Sequence, residues 1–135
     1  MEKLTIDAKI ENLPAVTQFV TDTLEEKNCS LKIIMQIELV IEEIFVNIAN
    51  YAYKDKSGMA TVCKSFDDNP SALNLIFMDS GTKYNPLEHE DPDINLSAED
   101  REIGGLGIFL VKRNVDKITY EYIDGQNILS IKKLL

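Results

Sequence analysis

The sequence predicts an α+β sandwich that forms one domain over residues 1–135. The length fits a single domain, since domains commonly run about 100–200 residues. Segments in which apolar and polar residues alternate, the spacing of half-buried strands, lie on both sides of two amphipathic helices. The later strands arrive as hairpin pairs, and this order favours an α+β sandwich over a doubly wound parallel sheet.

The first half of the chain predicts one strand and two helices. Residues 4–10 alternate between apolar and polar and predict the strand. Pro14 marks the first turn of a helix that extends to about Glu26. Ser30 is suited to cap the second helix, which we predict over residues 31–53.

The second half predicts four strands and one helix. The strands are predicted near residues 60–66, 72–78, 117–123 and 128–134. The first pair turns at residues 67–70 and the second at Asp124-Gly125. Between the pairs lies a long, acidic loop over residues 79–105, and loops of this length are usually functional or mobile. A helix then runs over residues 106–114.

Charge and composition restrict the classes of function. The chain carries 14 Lys and Arg against 23 Asp and Glu, and this net charge of −9 argues against bulk binding to nucleic acid or anionic membrane. Cys29 and Cys63 lie far apart, which argues against a disulfide framework or a zinc knuckle. A single histidine, His89, excludes most Ser-His-Asp, Cys-His and multi-His schemes.

No targeting or membrane-spanning segment is predicted. Residues 1–10 lack the basic and apolar regions of a signal peptide. No apolar run approaches the ~20 residues that a membrane span needs. We therefore expect a cytoplasmic protein.

A second row of residues, four of its five members polar, follows one face of the second helix beside an isoleucine stripe. The row consists of Gln36, Val40, Glu43, Asn47 and Asn50, and the stripe of Ile33, Ile37, Ile41, Ile44 and Ile48. Glu43 and Asn47 are i,i+4 neighbours that point the same way. Such groups on a largely buried helix are costly without partners. The row is either a solvated face or a site that uses a carboxylate and a metal-binding amide oxygen.

Two further motifs lie at the ends of predicted elements. Asp79-Ser80-Gly81 follows an apolar strand; its carboxylate can accept a hydrogen bond from an exocyclic amine, although the same residues are common in turns. Residues 104–107, Gly-Gly-Leu-Gly, precede a helix, where backbone N–H groups can face an anion. The alternative for these glycines is a helix entry that serves packing, and no P-loop lysine follows them.

In this order and spacing the three motifs resemble the GHKL ATPase/kinase superfamily, and more narrowly the bacterial anti-sigma factor serine-protein kinases. The matching stretches are residues 42–47, 51–53, 79–86 and 104–111, continuing through 115–116, 120 and 125–127. The resemblance covers essentially the whole chain. It implies a histidine-kinase-like ATPase fold, a two-layer sandwich of helices and a mixed, mainly antiparallel sheet.

The resemblance also implies ATP and Mg²⁺ as ligands. By position, Glu43 would be the general base, and Asn47 would hold Mg²⁺ through its side-chain oxygen. Asp79 would accept from the adenine amino group, and Gly81 would make room for the base. The phosphates would lie against Gly104, Gly105, Leu106, Gly107 and Ile108.

Residues 85–103 would form a lid over the nucleotide. Within it, Arg101 would place positive charge on the γ-phosphate; the alternative is a surface residue of the lid. Asn127 would lie near the adenine end. Two residues depart from the family pattern: Tyr51, where a histidine is typical, and Asn85, where an aspartate is more usual.

The implied function is that of an anti-sigma factor with kinase activity. It would phosphorylate a serine of an anti-anti-sigma (STAS) protein and sequester a sigma factor, as a homodimer without direct contact with nucleic acid or membrane. The alternative is an ATP/ADP-sensing module with little catalysis that regulates a protein partner. The catalytic domain of a histidine kinase is disfavoured, because His89 lies in a predicted loop.

Overall fold

A computed structural model describes residues 1–54, 56–88 and 105–135. The described residues form eight regular elements: β1 (Glu2–Asp7), α1 (Leu13–Glu26), α2 (Leu31–Asn47), β2 (Met59–Asp68), β3 (Ser71–Asp79), α3 (Gly105–Asn114), β4 (Lys117–Ile123) and β5 (Gln126–Leu134). Their order and number are those that the sequence predicts. Within the described ranges, no helix is long and apolar enough to cross a membrane.

The five strands form one sheet in the order β1-β2-β3-β5-β4. Each neighbouring pair is antiparallel, so among the described residues the sheet is antiparallel throughout rather than mixed. Phe77 of β3 lies in register with Val62 on one side and Leu129 on the other. Residues in register share a face of the sheet, and all three are buried. This face therefore carries the core.

The helices cover that face with their apolar stripes. The buried contributions to the shared core include Val16, Val20 and Leu24 of α1, Ile37, Ile41 and Ile44 of α2, and Ile108 and Val111 of α3. Ile48 continues the predicted stripe into the core, whereas Ile33 is partly buried at its edge. The two layers are thus one sheet and one set of helices, as the α+β prediction requires.

α2 begins as predicted but ends earlier. Ser30 caps it, because its hydroxyl accepts a hydrogen bond from the Ile33 N–H at 3.3 Å. At its other end the helix widens into a π turn over Ile48–Ala52 instead of continuing to residue 53. The Thr82 N–H bonds the carbonyl of Ala52 at 2.7 Å, so the widened turn is tied to the residues that follow β3.

Other element ends differ by a few residues. β1 stops at Asp7 because a 3₁₀ turn follows at Ile10–Asn12, where the Asn12 amide donates to the carbonyl of Asp7 at 2.9 Å. β2 and β3 pair as far as Asp68 and Ser71, which leaves a shorter turn than the predicted loop at 67–70. The last hairpin turns at Asp124 and Gly125, both with positive φ, as the sequence predicts.

Candidate functional site

A cavity of ≈ 510 Å³ opens between the end of α2, its wide turn and the sheet. Its floor is formed by buried core residues, which are Ile44, Ile48, Phe77 and Leu129. Polar side chains from three segments converge on its wall: Asn47 from α2, Asp79 from β3 and Asn127 from β5. An apolar cavity with a few convergent polar groups is the usual form of a small-molecule site.

Asp79 is the acidic group on this wall, and it is only 7 % exposed. Its Oδ1 accepts hydrogen bonds from the Gly81 N–H and from Asn127 Nδ2, both at 2.9 Å. Among the described residues no donor reaches Oδ2, so this oxygen is left for a ligand. Asp79-Ser80-Gly81 is therefore a turn, and the same turn presents a carboxylate to the cavity.

Gly81 is required by close packing against the wide turn. A Cβ at this position would overlap the backbone carbonyl of Ala52. Tyr53 strengthens the same junction, since its hydroxyl donates to the carbonyl of Met59 at 2.5 Å and accepts from the Ser80 N–H at 2.8 Å. Space for an adenine base at Gly81 stays a prediction.

The row on α2 that holds Glu43 and Asn47 differs in burial along its length: Val40 is buried, Asn50 is exposed, and the other three side chains are half-buried. Asn47 lines the cavity, and its amide has no hydrogen bond with any described residue. Glu43 lies one turn earlier, about 6 Å along the helix axis. Burial raises the pKa of the Glu43 carboxyl, and the neighbouring charge of Glu42 raises it further.

The glycine-rich segment reaches this row from α3. Gly105 and Leu106 open the helix, and Gly107 lies against Glu43, since a Cβ there would overlap Glu43 Oε2. Ile108 turns into the core. The structure therefore brings Glu43 and Gly107 together. Arg101, Gly104 and most of the predicted lid lie outside the described residues.

Tyrosines and lysines complete the lining. Tyr51, Tyr84 and Tyr120 line the cavity, and Tyr51 is 64 % exposed. Lys54 and Lys83 also line it. The described lining thus holds two lysines and one carboxylate, although the whole chain has a net charge of −9. The cavity is locally suited to an anion.

Tyr51 and Asn85 are the two residues that depart from the pattern of the family that the sequence resembles. Tyr51 lines the cavity, and Asn85 bonds the backbone of a neighbouring segment. Tyr51 lies on the cavity rim. Burial raises the pKa of Tyr84, and repulsion from the Tyr51 phenolate raises it further. Asn85 Oδ1 accepts from the Leu87 N–H at 2.9 Å, and this bond opens the short 3₁₀ turn at Pro86–Glu88. Neither residue touches Asn47 or Asp79 through a hydrogen bond in the described part of the chain.

Comparison with known proteins finds a match over nearly the whole chain. The histidine kinase-like ATPase domain matches residues 6–133. The anti-sigma F factor of Clostridium acetobutylicum is 25% identical over 126 residues, which are 93% of this chain and 87% of that protein. The serine-protein kinase RsbW of Bacillus cereus is 25% identical over 134 residues, 96% of this chain and 82% of that protein.

Proposed function

Because the chain belongs to the histidine kinase-like ATPase family, we propose that it is an ATP-dependent serine-protein kinase that acts as an anti-sigma factor. Its substrate would be a serine of an anti-anti-sigma (STAS) protein. When that partner is phosphorylated, the chain, as a homodimer, would sequester a sigma factor. The observation that carries the proposal is the cavity wall. Asp79 and Asn47 line the same cavity, and among the described residues no donor reaches Asp79 Oδ2 and no partner bonds the Asn47 amide.

Asp79 is the group that would recognise the base. Its Oδ2 can accept a hydrogen bond from the amino group of adenine, while the apolar floor of Phe77 and Leu129 suits a flat ring. Lys54 and Lys83 favour an anionic ligand at the same cavity. These features support an adenine nucleotide as the ligand.

The donor set also fits Mg²⁺. Magnesium in nucleotide sites keeps several waters and takes few protein oxygens besides the phosphates, and Asn47 offers one such oxygen. When bound, the ion would neutralise charge on the phosphates. The N–H groups at the start of α3, from Gly105 to Ile108, together with Gly104, would receive the phosphates. Arg101 would add charge at the γ-phosphate.

Glu43 is our candidate for the general base. Its raised pKa favours proton transfer closer to neutral pH, and Gly107 leaves space for its carboxylate. The carboxylate would accept the proton of the partner's serine as the serine oxygen bonds to the γ-phosphorus. The bond to the β–γ bridging oxygen breaks, and ADP leaves.

One observation favours the second candidate, a nucleotide-sensing module with little catalysis. Glu43 lies against Gly107 and is not among the described residues that line the cavity. In such a module the bound nucleotide would change how the chain holds its protein partner. The two functions share the nucleotide site and differ in whether Glu43 is needed.

Calorimetric titration with Mg-ATP and Mg-ADP tests the nucleotide site. We expect wild type to bind both, Asp79→Asn to bind at least about tenfold more weakly, and Asn47→Ala to lose the dependence on magnesium. Asp68→Asn is the matched control, because Asp68 lies at the opposite end of the β2–β3 hairpin and is exposed. A folded wild type that binds neither nucleotide would contradict the proposal.

Phosphoserine formation on STAS proteins from the same genome separates the two functions. A kinase loses this product on Glu43→Gln but keeps nucleotide binding, whereas Glu38→Gln, an exposed change on the same helix, leaves the product unchanged. A sensing module forms no phosphoserine in either case and keeps its regulation of the partner.

A further inference from the structure

Asn127 is a buried amide at the centre of the cavity wall. It lies in register with Asp79 across β3 and β5, and it is 8 % exposed. Its Nδ2 donates to Asp79 Oδ1 and to the carbonyl of Thr82, both at 2.9 Å. Its Oδ1 accepts from the Tyr84 N–H at 3.0 Å and from the hydroxyl of Tyr120. Each polar position of the amide is therefore used.

These partners fix the orientation of the amide. The carbonyl of Thr82 can only accept a hydrogen bond, and the N–H of Tyr84 can only donate one. A flipped amide would face two groups of the wrong kind, so Nδ2 must point towards Asp79.

The fixed amide in turn fixes Asp79. With Asn127 and the Gly81 N–H both on Oδ1, the carboxylate cannot turn without losing two hydrogen bonds. Its Oδ2 is then the oxygen presented to a ligand. The same amide holds the backbone of Thr82 and Tyr84, which also line the cavity.

We infer that Asn127 is a positioning residue that makes this cavity select a base with an N–H donor over one with a carbonyl oxygen at the same place. The inference rests on the proposed function, since it requires that a nucleotide binds here. Adenine and hypoxanthine differ in this respect, because adenine carries an amino group where hypoxanthine carries an oxygen. An oxygen there would face the oxygen of Asp79, and two acceptors repel each other.

The test compares Mg-ATP with Mg-ITP by calorimetry in wild type and Asn127→Asp. The substitution keeps the shape of the side chain but sets an acceptor against Asp79 Oδ1 and the carbonyl of Thr82. We expect wild type to prefer ATP, and the variant to bind ATP at least about tenfold more weakly with its preference for ATP reduced. A purely structural amide would weaken both nucleotides equally.

A pH series and a rescue variant test the positioning role further, because a purely structural role of Asn127 would leave the preference for ATP over ITP unchanged in both. In Asn127→Asp the two facing carboxyls take up one shared proton as the pH falls, which restores a donor between them, so the preference for ATP should partly return. The Tyr120 phenol, which donates to the amide, and the phenol of Tyr84, whose backbone N–H donates to it, stay neutral as the pH falls, because burial raises the pKa of each. Asn127→Thr, whose hydroxyl can donate, should keep part of the preference at every pH.

Asn114→Asp is the matched control. Asn114 donates to the carbonyl of Leu110 at 2.7 Å near the end of α3, away from the cavity lining, so its change should leave the ATP-to-ITP ratio as in wild type. A ratio that Asn127→Asp leaves unchanged, or a wild type that binds both nucleotides equally well, would overturn the inference. A wild type that binds neither contradicts the proposed function itself.

Discussion

Burial controls the protonation of Glu43 more than its neighbouring charge does. Burial raises the pKa of this carboxyl, and Glu42 adds to the shift by repulsion. The ionised form is therefore less favourable in the folded chain than in the unfolded chain. The contribution of Glu43 to the stability of the fold therefore falls as the pH rises from its pKa in the unfolded chain towards its higher pKa in the folded chain. A group that titrates higher is a better base near neutral pH.

At this scale we predict that Glu42→Gln shifts the pH profile of phosphate transfer. In the proposed mechanism transfer needs an ionised Glu43, so in wild type the rate should fall as the pH drops through a pKa above the ordinary value for a glutamate. Removing the repulsion of Glu42 lowers that pKa, and the fall moves to lower pH. Rates of phosphoserine formation across pH measure this, with Glu38→Gln as control. A shift to higher pH would contradict the assignment of Glu43 as base.

Helical spacing and strand ends in the sequence predict where candidate site residues lie, but not the hydrogen bonds that hold them. Glu43 and Asn47 are one turn apart, and the periodicity of α2 predicts that they share a face. The hydrogen bonds of Asn127 join β5 to Asp79, Thr82 and Tyr84, which are distant in the chain. No local pattern marks such pairs, because they arise from strand register.

Among the elements, α1 is held on the sheet by a buried lysine. Lys64 of β2 is 6 % exposed, and its Nζ donates to the carbonyl of Phe19 and, at 2.8 Å, to Thr23 Oγ1. The same Nζ lies 4.1 Å from the centre of the Phe19 ring and 3.3 Å from a carboxylate oxygen of Glu2. This one side chain links β1, β2 and α1.

At this scale we predict that Lys64→Met destabilises the fold by about 1–3 kcal/mol, because the bonded carbonyl and hydroxyl of α1 lose their buried donor. Methionine keeps most of the side-chain volume, so the loss reports the polar contacts. Urea unfolding measures the change. Lys132→Met is the matched control, since its pair with Asp67 at 3.3 Å is partly exposed and should contribute less to stability. Equal losses in the two variants would contradict the role of Lys64.

The spacing of apolar residues predicts the order of the helices and strands better than it predicts the residues at which they end. Ile10 fits the alternation of β1 but lies in the following turn, exposed, because the Asn12 amide bonds back to Asp7. Ile48 fits the apolar stripe of α2 equally well in an α-helix and in a π turn, so spacing alone cannot place the helix end. The end is decided by Ala52 and Thr82, a contact between distant segments.

The whole molecule is strongly acidic, whereas the described lining of its cavity is not. The chain carries a net charge of −9, whereas the described lining of the cavity holds Lys54 and Lys83 against Asp79. Like charges spread over a small domain repel each other and oppose the compact state. A nucleotide would meet a favourable local potential within an unfavourable overall one.

At this scale we predict that salt stabilises the fold. Raising sodium chloride from about 10 mM to about 150 mM shortens the screening distance from about 30 Å to about 8 Å and weakens the repulsion. The melting temperature at neutral pH should rise by a few degrees, as calorimetry would measure. Sodium perchlorate at equal ionic strength is the control, because screening depends on ionic strength rather than on the anion. A falling melting temperature in both salts would mean that ion pairs outweigh the net repulsion.

The wide turn at Ile48–Ala52 interrupts the regular spacing of the helical segment that begins with α2. A turn that holds one extra residue sets each later residue about 100° behind the position that it would take in a regular helix of the same sequence. Deleting one residue there would therefore restore the regular spacing and leave the carbonyl of Ala52 facing Thr82, while Ile37, Ile41 and Ile44 kept their places. The wide turn is thus a position at which the chain can lose one residue without re-aiming the rim of the cavity or repacking the core.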